Sequence, residues 1–341
     1  MKRYLIVLLF VLAIVGCVQN YPAPLFKLNF PQIITYNLFN NLRDNPGFGD
    51  SIIVLGSFIL TGQEIKEKID TLLTIHPKKI AINLCDIRRG ASDLIQAYAD
   101  NPVVVLGECG GEKDLFGRLI DDHNVVTHFK TDNPNYLELR AANTGSTLKD
   151  RGNALERINY YGSFDAFLTL DLDDMYALAD LEVFRNKTIL IGYCGMGPPD
   201  AVNNYRNAHI TPLNSAYDQE ERAPDMFDIH IAANIVRTIN ERSFIYEVNL
   251  ITRIAFMLLC AFLLVLLITV IQTRWLLLNL VIYLVFYLLF IVAGTLLIVL
   301  LFSKNIYLDI PEYAIVLFLV AVFTVFYNQF YTTNEPRTPQ E

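Results

Sequence analysis

The sequence predicts an α/β extracytoplasmic domain with a mostly parallel sheet, an N-terminal membrane segment and a C-terminal block of three transmembrane helices. Three observations carry this prediction. Hydrophobic residues make up 53% of the 341-residue chain and charged residues only 18%, against roughly 25% charged in an ordinary soluble domain. The excess lies in one short N-terminal run and one long C-terminal block, with a polar stretch of ordinary composition between them. Within that stretch, short Val- and Ile-rich runs alternate with helical periodicity, as expected of strands buried on both faces.

The N-terminus reads Lys2, Arg3 and then an apolar run from Tyr4 to Val18, a positive region followed by a hydrophobic one. That run is short for a span, which takes about 20 residues. It closes on Ile14-Val15-Gly16-Cys17, which also fits lipoprotein processing at the cysteine. Residues 1–19 are therefore a signal anchor or a lipoprotein signal, with Cys17 as the lipidation candidate.

The hydrophobic C-terminal block divides into spans at 250–271, 275–302 and 311–331, followed by a tail at 332–341. The tight link Gln272-Thr273-Arg274 makes the first two a helical hairpin, and the long second span would have to tilt. Lys2 and Arg3 place the N-terminus inside. Residues 20–249 then lie outside the cytoplasm, and the last three crossings return the tail to it, with Arg274 on the inner side. This is the topology of a multi-pass protein of a bacterial inner membrane, with membrane lipids as obligatory partners. Arg253 sits near a span end and Asn279 near a span start. A proton or ion path would need buried acidic or basic groups, so transport is disfavoured.

Between Val18 and Leu250 there are 21 Lys and Arg against 31 Asp and Glu. That balance disfavours nucleic acid as a partner, because phosphate binding needs clustered basic residues. Strands are expected at Ser51–Gly56, Lys79–Leu84, Val103–Gly107, Asn124–Phe129, Arg157–Tyr161 and Lys187–Tyr193. Helices are expected at Gly62–Ile75, with Ile65, Ile69, Leu72 and Leu73 on one face, at Ala91–Ala99, at Leu172–Phe184 with Asp171 or Asp173 as N-cap, and at Ile229–Asn240, leading straight to the first span.

Several segments carry a resemblance. They are Lys78-Lys79-Ile80-Ala81-Ile82-Asn83-Leu84-Cys85-Asp86, Asn186-Lys187-Thr188-Ile189-Leu190-Ile191-Gly192, Asp200, Thr211-Pro212-Leu213, and Asp228-Ile229-His230-Ile231-Ala232-Ala233-Asn234-Ile235-Val236. In this order, between an N-terminal membrane segment and three spans, they resemble the second class of CHASE domains, the extracellular sensor domains associated with cyclases and histidine kinases. The resemblance covers roughly residues 20–331 and implies a sensor. Two departures matter. The family implies a cytoplasmic output domain after the third span, and the tail at 332–341 holds none. Asp228-Ile229 stands before His230, where the family tends to have glycine and an acidic residue.

In open α/β sheets, ligands bind beyond the carboxyl ends of the strands. Those ends read Leu84-Cys85-Asp86, Gly107-Glu108-Cys109-Gly110-Gly111 and Gly192-Tyr193-Cys194-Gly195-Met196-Gly197. Two readings stay open. Asp86, Glu108, Tyr193 and Asp200 line a ligand crevice, or the glycines serve tight turns and the cysteines are small buried apolar groups. Cys85, Cys109 and Cys194 share one edge and are candidates for a disulfide or a sulfur cluster. Asp171, Asp173 and Asp174 lack calcium-loop spacing, and the five histidines lack metal spacing. The expectation is no metal, no cofactor and no catalytic constellation; an enzyme would need Cys109 or Cys194 as nucleophile. The expected function is an extracytoplasmic sensor acting through a membrane or periplasmic protein partner or as a homo-oligomer. The alternative is a structural or assembly subunit of an envelope complex that docks through the α/β domain.

Overall fold

Five short runs of aliphatic residues pair in parallel to make the central sheet of the computed structural model, which describes residues 51–57, 60–107, 118–120, 125–142, 151–162, 164–178, 180–194, 208–213, 224–271, 276–308 and 313–334. The runs are β1 (Ile52–Ser57), β2 (Lys79–Asn83), β3 (Val104–Gly107), β4 (Leu168–Asp171) and β5 (Thr188–Tyr193). They lie in the order β3-β2-β5-β1-β4, with every neighbouring pair parallel. Registers such as Ile53↔Ile189 and Ile80↔Val104 bring like side chains together on the same face. The mostly parallel sheet expected from the sequence is therefore present.

Side chains alternate across a strand, so each strand feeds two cores. Ile53, Leu55, Ile80, Ile82, Ile189 and Ile191 form one core with Ile65, Ile69 and Leu72 of α1 (Gly62–Leu73) and Leu94 and Tyr98 of α2 (Ala91–Tyr98). Each fully buried aliphatic side chain contributes about 1.5–3 kcal/mol. On the other face, Ile52, Val54, Ala81 and Leu190 are sealed from solvent. They are covered by the short helix α3 (Leu137–Ala141) and by α4 (Asp228–Asn240), which is buried along almost its whole length. Arg118–Ile120, Val126–Lys130 and Leu155–Arg157 make a small antiparallel sheet.

Three expectations are corrected. Leu172–Phe184 is not one helix but two short 3-10 segments, Asp173–Ala177 and Leu181–Phe184. Asp180 starts the second by accepting the Glu182 N–H. The edge strand β4 was not expected from the sequence. Arg157–Tyr161 pairs as a strand only up to Arg157. Beyond it, the N–H groups of Asn159 and Tyr161 donate to side chains of α4 instead of to a neighbouring strand.

The chain divides into two compact units between Tyr246 and Glu247. The second holds α5 (Leu250–Ile271), α6 (Leu276–Phe302) and α7 (Tyr313–Asn334). Among the described residues, two of its helices, over Leu250–Ile268 and Val281–Phe302, are long and apolar enough to cross a membrane; the apolar stretch of α7 found there, Leu317–Tyr327, is shorter. Met257, Ala261, Leu264 and Ile268 of α5 interlock with Leu317, Val320, Ala321 and Val325 of α7. On α6 the residues Leu284, Val285, Leu288, Leu289, Val292 and Leu296 are all exposed. An aliphatic face this continuous is foreign to a water-facing surface.

Candidate functional site

All five strands run the same way, so their carboxyl ends share one edge, the usual ligand position in such sheets. Asp86 follows β2 on a 3-10 turn and is buried. Its Oδ2 accepts the backbone N–H of Tyr193 and the Asn83 Nδ2–H, each at 2.8 Å. The carboxylate thus ties the end of β2 to the end of β5. Gly192 makes this approach possible: a Cβ there would lie 3.2 Å from Asp86 Oδ2 and 3.0 Å from Ile229 Cδ1. The first turn of α4 closes over the same place. The Tyr193 ring is buried and meets Phe227 edge-on at 6.0 Å, and Phe227 lies 6.3 Å from the His230 ring.

Asp86 and Tyr193, two of the four crevice candidates, are therefore brought together, but as joined, buried groups. Glu108 and Asp200 lie outside the described residues, as do Cys17 and Cys109. Cys85 is exposed and disulfide-bonded. Cys194 is a buried thiol that forms no disulfide, pushed up to about 11 by burial and then by the charge of Asp171. Cys85 and Cys194 therefore do not form one sulfur group, and Cys194 is no activated nucleophile. Cys194 packs on Gly56, where a Cβ would come 2.5 Å from the Cys194 Cβ.

Behind the edge, α4 presents polar residues one turn apart, at 230, 234 and 238. His230 Nε2 and Thr169 Oγ1 of β4 share a hydrogen bond of 3.0 Å. Asn234 Oδ1 accepts the Tyr161 N–H at 2.9 Å, while its amide donates to the His230 carbonyl. Thr238 Oγ1 accepts the Asn159 N–H at 3.3 Å. Burial lowers the His230 imidazole to about 4, so the ring is neutral at neutral pH. Among the described residues His230 Nδ1 has no hydrogen-bond partner, so none of them supplies the third group that orients a catalytic histidine. At the start of α4, Asp228 Oδ1 lies 2.6 Å from His209 Nε2. Asp225 accepts both the N–H and the hydroxyl of Thr211, and this fixes the Thr211-Pro212-Leu213 turn. Among the described residues no group of three or more His, Cys, Asp or Glu is placed to hold a metal ion.

The ladder at 230, 234 and 238 was open to sequence reasoning as a polar repeat of one turn inside an apolar helix. Comparison with family models, curated proteins and solved structures finds no match.

Proposed function

We propose that this chain is a membrane-bound, extracytoplasmic sensor that detects its signal at the carboxyl edge of the sheet and acts through a partner protein. The observation that carries this reading is the order of elements. The last helix of the α/β unit, α4, is followed after Glu241–Asn249 by a helix long and apolar enough to cross a membrane. The resemblance to CHASE-type domains gives the same order, and the parallel sheet suits it. In this reading residues 1–19 anchor the chain or are processed at Cys17, α5, α6 and α7 are three spans of a bacterial inner membrane, and the tail is cytoplasmic. A signal shifts the population between two packings of the edge, and differential affinity for the two sets the response.

A second reading has its own support. Asp86 and Tyr193 are buried and occupied with each other, which suits an assembly subunit whose domain is a rigid docking surface. Co-purification of the tagged protein from native membranes, with mass spectrometry of its companions, separates the two. A kinase, cyclase or phosphatase in stoichiometric amount supports the sensor. An envelope-assembly protein in its place overturns it in favour of the scaffold.

A further inference from the structure

Beyond β2 the chain turns through Leu84–Asp86. Leu84 and Asp86 are buried, while Cys85 between them is exposed. Asn83 sets this turn: its Oδ1 accepts the Cys85 N–H at 3.0 Å and its amide donates to the Asp86 carboxylate at 2.8 Å. Cys85 is disulfide-bonded. The chain holds five cysteines, and Cys194 and Cys260 form no disulfide. The partner of Cys85 within the chain is therefore Cys17 or Cys109.

Register decides between them. β2 and β3 are parallel neighbours that end level, with Asn83 paired to Gly107. Cys85 follows Asn83 by two residues, and Cys109 follows Gly107 by two. Neighbouring strands lie about 4.8 Å apart, within the roughly 4.4–6.8 Å that a disulfide spans between Cα atoms. Cys17 belongs to the apolar run Tyr4–Val18, which the sensor reading puts at the membrane. A bond from Cys85 to Cys109 closes α2 and β3 into one covalent ring, beside the edge that Asp86 ties to Tyr193. Exposed disulfides are the ones that thiols open in a folded protein, whereas buried structural ones resist reduction.

We propose that Cys85 and Cys109 form a redox-responsive crosslink at the carboxyl edge of the sheet, opened by an extracytoplasmic dithiol. The proposal rests on the sensor reading, to which it adds the chemical class of the signal. One thiolate of the dithiol attacks a sulfur of the bond, which breaks and leaves a mixed disulfide. The second thiol of the reductant then displaces the protein sulfur. Two electrons and two protons pass to the protein, both cysteines end as thiols, and the reductant ends as its own disulfide. Opening the ring removes a constraint on the unfolded chain, so the segment between the two cysteines opens more readily. The Asp86 hydrogen bonds need not break for this. The pairing also leaves the Cys17 thiol available for lipidation.

The test uses the full chain in lipid nanodiscs, with dithiothreitol as the dithiol. Peptides from the unreduced protein, separated and weighed, should include one in which Cys85 and Cys109 are joined. After brief reduction at pH 7.5 without denaturant, maleimide should label these two cysteines at least about tenfold faster than the buried Cys194, which reports unfolding. Hydrogen exchange over 91–98 and 104–107 should rise by about tenfold or more on reduction. In Cys85→Ser, Cys109 should become reactive without reductant. A bond from Cys85 to Cys17, no bond at Cys85, labelling that appears only together with Cys194, or unchanged exchange over 91–98 and 104–107 overturns the proposal. Should Cys85→Ser fail to fold, the native protein supplies the other readings. No partner protein enters the experiment, so its failure leaves the sensor reading standing, and failure of the co-purification leaves the bond measurable.

Discussion

Removing the Asp86 carboxylate tests whether the sheet edge is built or merely lined. In Asp86→Ala two buried donors, the Tyr193 N–H and the Asn83 amide, lose an acceptor that each holds at 2.8 Å. Hydrogen bonds to charged groups contribute about 1.5–3 kcal/mol each, and a stranded buried donor costs about 1–3 kcal/mol. The two are not additive within one small network, so the expected loss is about 3–4 kcal/mol. Asp86→Asn keeps one acceptor oxygen and should lose about half of that. Because the chain has two units, a single unfolding midpoint is a poor measure, and native-state hydrogen exchange on β5 is the better assay. A loss of 3–4 kcal/mol lowers protection at the carboxyl end of β5 by about two to three orders of magnitude. Unchanged β5 protection in Asp86→Ala refutes the reasoning and returns Asp86 to the role of a free ligand-contacting group.

Further predictions follow from the same edge and its backing helix. Gly56→Ala pushes a methyl against Cys194, 2.5 Å from its Cβ and 2.7 Å from its Sγ; exchange in β1 should show a cost of about 1–3 kcal/mol, partly recovered by adding Cys194→Gly. The Cys194 thiol, raised to about 11 by burial and Asp171, should resist maleimide at pH 7–8 in the folded protein and react once it is unfolded. His230, lowered to about 4 by burial against about 6.5 in an unfolded chain, takes up its proton only on unfolding at intermediate pH. Stability from this group is complete above pH 6.5 and falls as pH drops from there to 4, by about 3 kcal/mol. Exchange in α4 measured against pH should show this slope, and His230→Gln should flatten it.

Strands β1, β2, β3 and β5 were legible because each is a run of aliphatic residues buried on both faces, with no competing period. β4 was not, since Leu168-Thr169-Leu170-Asp171 is short and pairs on one side only, with β1. The Leu172–Phe184 periodicity misled because side-chain caps within it are stronger than its helix propensity. Asp171 Oδ1 accepts the Asp173 N–H at 2.8 Å and Asp180 does the same for Glu182, which cuts the segment into two short turns. The candidate site was half legible. Position along a parallel sheet marked Asp86 and Tyr193. Nothing in their local sequence shows that one would accept the other's backbone N–H across residues 107 apart in the chain.

The central claim, a sensing domain held outside the membrane by the C-terminal helices, is tested most directly by topology mapping. Alkaline phosphatase and green fluorescent protein are fused in turn after residues 247, 272, 306 and 341. The account predicts phosphatase activity at 247 and 306 and fluorescence at 272 and 341. Fluorescence at 247 with phosphatase activity at 272 would place the α/β unit in the cytoplasm and contradict it.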